Sequence, residues 1–84
     1  MIIRRYVIEL RNGSYMKQDF HGSVELIKIR SVDNPIDADL LKQKSIADRC
    51  LSEILTGNTN IMVLYDDDNP PVRVVELKIN YNVN

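Results

Sequence analysis

"VRVVELKINYNVN" (residues 72–84) alternates with a period of two, as a strand does. Arg73, Val75, Leu77, Ile79, Tyr81 and Val83 share one face, with Val72, Val74, Glu76, Lys78 and Asn80 on the other. Apart from Arg73 the first face is apolar or aromatic, so it is expected to pack on a helix. The expected partner is an equally β-branched stretch, Ile3 to Leu10. In that pairing Val75, Leu77 and Ile79 cover the core beside Tyr6 and Ile8, while Glu76 and Lys78 point outward towards Arg5 or Glu9.

The remaining elements follow outward from these two strands. Asn12-Gly13 is the dipeptide that best tolerates the positive φ angles of a tight hairpin, so Ile2 to Leu10 should turn back into a strand from Ser14 to Phe20. His21-Gly22-Ser23 reads as a further turn, and Val24 to Val32 as a third strand. Asn34-Pro35 suits a helix start, because Asn caps free N–H groups and Pro fits the first turn. Ile46, Ala47, Cys50, Leu51, Ile54 and Leu55 recur at steps of three and four, an apolar stripe that Gly57 closes. One helix is favoured over the whole span, although Ser45 offers a second N-cap and a break after Asp37 to Lys44. Leu51 and Ile54 should be buried against the sheet. "IMVLY" (residues 61–65) is too short for a helix and reads as a strand, followed by the polar loop "DDDNPP" (residues 66–71). The fold class is α+β: a small antiparallel sheet of four or five strands, with an N-terminal hairpin and a C-terminal strand, and one principal helix on one face.

The 84 residues make one domain, with 44% hydrophobic and 27% charged residues, an ordinary globular balance. A core this small gains from burying more surface, so a homodimer is one expected partner. The strands at 61–65 and 72–83 are the candidates for an unpaired edge open to a second copy. The formal net charge of −1 gives no global field for nucleic acid or an anionic membrane. A single cysteine excludes an internal disulfide, and no apolar run of about 18 residues exists to span a membrane. The start, "MIIRRYVIEL", lacks the long apolar stretch of a secretory signal, so the cytoplasm is the expected location.

"RYVIELRNGSYM" (5–16), "ADLLKQKSIADRCLSEIL" (38–55) and "VRVVELKINYNV" (72–83) resemble small, mostly uncharacterised proteins of phages and prophages of Gram-positive bacteria. Ala38, Leu41 and Ala47 keep the family's central spacing, with Leu41 where the family has Phe. The resemblance implies a bacterial host cell and a host or phage protein as partner, and it transfers no catalytic residue.

No cofactor, metal or catalytic residue is expected from the residues themselves. His21 lies alone in a turn, so neither a triad nor a histidine-based zinc site assembles. Cys50 falls on the apolar stripe, where a thiol acts as a small hydrophobe. Asp66, Asp67 and Asp68 are adjacent rather than alternating and meet Asn69-Pro70-Pro71, which reads as a solvated turn and not a calcium loop. Arg4, Arg5, Arg11 and Lys17 cluster on the hairpin with Tyr6 and Tyr15, the pairing of cations and rings that single-stranded nucleic acid uses. The expected function is therefore a non-enzymatic protein–protein interaction module. The alternative is a nucleic-acid-binding accessory protein using Arg4, Arg5, Arg11, Tyr15 and Lys17.

Overall fold

The computed structural model describes residues 1–20, 26–57 and 62–80. Among the described residues five strands and one α-helix follow one another: β1 (Ile2–Leu10), β2 (Tyr15–Phe20), β3 (Leu26–Val32), α1 (Lys44–Thr56), β4 (Met62–Leu64) and β5 (Pro71–Asn80). They form one sheet in the order β4-β3-β2-β1-β5. The α+β class and the pairing of the last strand with the first are as expected, and β5 runs antiparallel to β1 along its whole length. One pairing departs from an all-antiparallel sheet, since β4 lies parallel to β3. Parallel neighbours need a long connection, and the residues between β3 and β4, including α1, supply it. The expected turn at His21-Gly22-Ser23, together with Val24, Glu25, Ile61 and Tyr81 to Val83, lies outside the described residues.

The first hairpin forms for the reason its turn suggests. Gly13 sits at φ 89°, a conformation that side chains with a Cβ rarely adopt. The Leu10 N–H donates to the Ser14 carbonyl at 2.7 Å, and the Asn12 carboxamide accepts from the Ser14 N–H at 2.9 Å. Beyond this turn β2 leaves β1, the pairing of the two being confined to Glu9 opposite Tyr15.

The expected continuous helix is broken. Asn34 caps only a single 3-10 turn, Pro35–Asp37, by accepting from the Ile36 N–H. Ala38 is extended, and α1 begins six residues later with Gln43 as its N-cap in place of Ser45. The helix ends at Gly57 in the left-handed conformation (φ 67°), as its position in the sequence suggests.

The register corrects one expectation about faces. Cross-strand partners in an antiparallel pair point to the same face, and the partners here are Ile8 with Val74, Val7 with Val75, Arg5 with Leu77 and Ile3 with Ile79. The packed core holds Ile8, Leu10, Met16 and Ile54, with Ile29, Cys50, Leu51, Val63, Tyr65 and Val74 against it. The helix therefore covers the Val74 face of β5, while Val75, Leu77 and Ile79 lie on the face away from it. Tyr6 and Ile8 do not share their side. Val7, 0% exposed, and Ile8, 1% exposed, are adjacent and so face opposite ways, which makes β1 the strand buried on both sides.

The helical stripe is narrower than its spacing suggests. Ala47 and Ile54 are buried and Cys50 and Leu51 half-buried, whereas Ile46 and Leu55 are exposed at 40% and 50%. Replacing Ile54 with Ala should therefore cost about 2–5 kcal/mol in denaturant unfolding. Leu55→Ala should stay within about 0.5 kcal/mol of the parent.

Candidate functional site

Where β2 departs from β1, buried backbone groups of β1 lose their neighbour. Residues 38–41 fill that seam. Tyr6 and Leu41 exchange backbone hydrogen bonds of 2.8 and 2.9 Å, and the Asp39 N–H donates to the Met16 carbonyl at 3.2 Å. The Asp39 carboxylate accepts from the Gln18 N–H at 2.8 Å and lies 3.6 Å from the Lys17 ammonium. This segment thus bonds to β1 through Leu41 and to β2 through Asp39. Beside it runs an open groove of about 730 Å³ lined by Lys17, Gln18 and residues 36–41, with Ile36 and Leu40 exposed.

The basic and aromatic residues of the hairpin do not make one surface. Arg4 and Arg5 are consecutive in β1 and face opposite ways; Arg4 sits 3.5 Å from Glu76, on the helix side. This ion pair replaces the expected contact of Glu76 with Arg5. Arg5 donates to the Arg4 carbonyl, Lys17 is paired with Asp39, and exposed Arg11 lies in the turn, its backbone N–H bonded to the Pro70 carbonyl. Tyr15 stands opposite Glu9, on the face of Arg5, Lys17 and Arg73. On this face Arg73 donates to Glu9 at 2.7 Å, and that hydrogen bond raises the Arg73 guanidinium above its ordinary value. The Glu9–Arg73 contact explains why an arginine interrupts an otherwise apolar run. Sequence periodicity alone had no signal for it, because the two residues are far apart in the chain.

Two other candidates are structural in their surroundings. Asp66 accepts from the Asp68 N–H through its side chain and from the Asn69 N–H through its carbonyl, and Asn69 accepts from the Asn12 N–H at 2.8 Å. The acidic loop thus closes on the hairpin turn, with Asp67 and Asp68 exposed. Cys50 is half-buried; burial pushes its thiol up, while the Gln18 carboxamide 3.7 Å away works against that shift. His21 lies outside the described residues.

The sequence offers two strands as candidates for an open edge, and the hydrogen-bond pattern defines the outer side of β5 as one. Tyr6 and Leu10 direct their N–H groups away from β5, to Leu41 and Ser14. Along a strand these directions alternate, so Ile3, Arg5 and Val7 point theirs towards β5 and bond Ile79, Leu77 and Val75. The backbone groups of Val74, Glu76, Lys78 and Asn80 therefore point outward, where among the described residues no strand follows. The near end of this edge is guarded by Pro71 and by a register shift opposite Glu9 and Leu10. Residues 74–80 have no such guard. The opposite edge is β4, of which the described residues comprise Met62–Leu64.

The raised Cys50 thiol has a consequence for stability. The unfolded chain gives up this proton at about pH 8.5, before the folded protein does. The stabilising contribution is full below that pH and is lost as pH rises through the folded value. The thermal midpoint of the parent should thus fall relative to Cys50→Ala between about pH 7 and about pH 10. Thermal melts at the two pH values check it.

No helix among the described residues is long and apolar enough to cross a membrane. Compared with protein-family models, with curated proteins and with solved structures, the chain matches none.

Proposed function

We propose that this chain is a non-enzymatic protein-binding module that takes up an extended segment of another polypeptide along the outer edge of β5. The observation that carries this reading is the row of outward N–H and C=O groups at Val74, Glu76, Lys78 and Asn80. A strand added there satisfies groups that no strand among the described residues pairs, and alternate side chains supply selectivity. On the side away from the helix, Val75, Leu77 and Ile79 offer the incoming strand an apolar border that begins at Ile3 and Val7. On the helix side Glu76 and Lys78 are exposed, one charge of each sign. The resemblance to small phage and prophage proteins favours a host or phage polypeptide as the partner.

The nucleic-acid reading has less support. It needs Arg4, Arg5, Arg11, Tyr15 and Lys17 on one surface, yet Arg4 and Arg5 diverge and Arg4 and Lys17 already face carboxylates.

A proline at Lys78 tests the edge directly. The Lys78 N–H points outward, so Lys78→Pro removes a donor for an added strand without removing one from the ladder with β1. Extended peptides selected from a random library against the dilute parent chain should bind it and lose at least roughly tenfold in affinity for Lys78→Pro, about 1.4 kcal/mol. Binding insensitive to the proline, or salt-sensitive retention on single-stranded DNA in place of peptide binding, would refute the proposal.

A further inference from the structure

We infer that the strand this edge accepts is β5 of a second copy, paired antiparallel about a two-fold axis at Leu77. This rests on the reading of β5 as an open edge and adds the identity and register of one occupant. In a symmetric antiparallel pair, outward-bonding residues must meet outward-bonding residues, so the register can shift only in steps that keep Val74, Glu76, Lys78 and Asn80 opposite one another. Placing Glu76 or Lys78 on the axis sets it against its own copy, which brings like charges together. Centring on Val75 sets Glu76 against Val74. Centring on Leu77 sets Glu76 opposite Lys78 of the second copy, twice by symmetry, and Val74 opposite Asn80.

The same register completes the other face. Val75 falls opposite Ile79 of the second copy and Leu77 opposite Leu77, so the half-buried apolar residues of the two copies join into one stripe. Glu76, Lys78 and Asn80 are exposed, so the helix leaves this strip open to approach. Arg4 does not compete for position, because it reaches Glu76 from the inner strand at 3.5 Å and the second copy arrives from the outer side. Among the described residues Lys78 makes no ion pair of its own, and this register supplies one. Charges that oppose self-pairing in two registers favour it in this one, which is how an edge can be guarded against most partners and remain open to a particular one.

Sedimentation equilibrium of the full chain over a concentration series tests the inference. The parent should be a dimer, and Lys78→Glu and Glu76→Lys should each weaken it by roughly tenfold, since each places like charges opposite one another at two symmetric sites. The double variant E76K/K78E should restore association, and Lys78→Pro should give a monomer with an unchanged circular dichroism spectrum. If Glu76→Lys fails to fold through loss of its contact with Arg4, Lys78→Glu decides alone. A parent that stays monomeric throughout, or a dimer indifferent to K78E and K78P, overturns the inference. A monomer that still binds extended peptides in a proline-sensitive way removes only the second copy as occupant. A dimer that responds as expected while the dilute chain binds no peptide removes the other-polypeptide partner and leaves the dimer standing.

Discussion

Backbone groups covered by a fold must find partners, and here that requirement is met in an unusual way at half-buried Tyr6, which bonds outside the sheet ladder to Leu41. β1 is the strand buried on both faces, with β5 along one side of it, while β2 diverges after a single pairing at Glu9 and Tyr15. The reciprocal bonds between Tyr6 and Leu41 close the resulting gap. A chain that must run extended at Leu41 cannot also be helical there. That constraint separates the 3-10 turn from α1 and delays the helix to Lys44. Asp39 and Ala38 then have fixed surroundings: Asp39 binds the Gln18 N–H, and Ala38, 4% exposed, is a small residue where the segment passes between strands.

The same crowding orders the core. With α1 lying against β1 and β5, the helix presents Cys50, Leu51 and Ile54, and their partners come from all five strands, including Val63 of the short β4. The outer polar contacts, Arg4 with Glu76 and Lys44 with Asp48, are exposed ion pairs that solvent screens, and they contribute little. The folded state depends on β1 and what covers it, and far less on surface charge.

With β1 covered on both faces around Val7 and Ile8, the groups left open lie at the margins of the sheet. β5 carries backbone groups of one orientation to the outside, a charge of each sign on one face and apolar residues on the other. Those three features together are the ones the proposed pairing with another strand draws on. The groove beside residues 36–41 is a different kind of place: its polar groups, Asp39 and Lys17, are already engaged in holding the seam.

The sequence by itself determined the element types, the Asn12-Gly13 hairpin, the glycine at the end of α1 and the partnership of the first and last strands. Each is written in local chemistry: β-branched alternation, a turn dipeptide, a residue able to adopt positive φ. What only the tertiary structure decided is which face of β5 meets the helix, because alternation specifies two faces and is silent about which one a distant element will cover. Val75, Leu77 and Ile79 form the more apolar side, yet Val74 lies opposite Ile8 and so joins the core. The break at 38–43, which Ser45 had offered only as the alternative to one continuous helix, has its cause in the unpaired side of β1, far away in the chain. The Glu9–Arg73 contact and the outward direction of the Glu76 and Lys78 backbone likewise exist only once the register of β1 and β5 is set, since hydrogen-bond direction is a property of the paired strands and not of either alone.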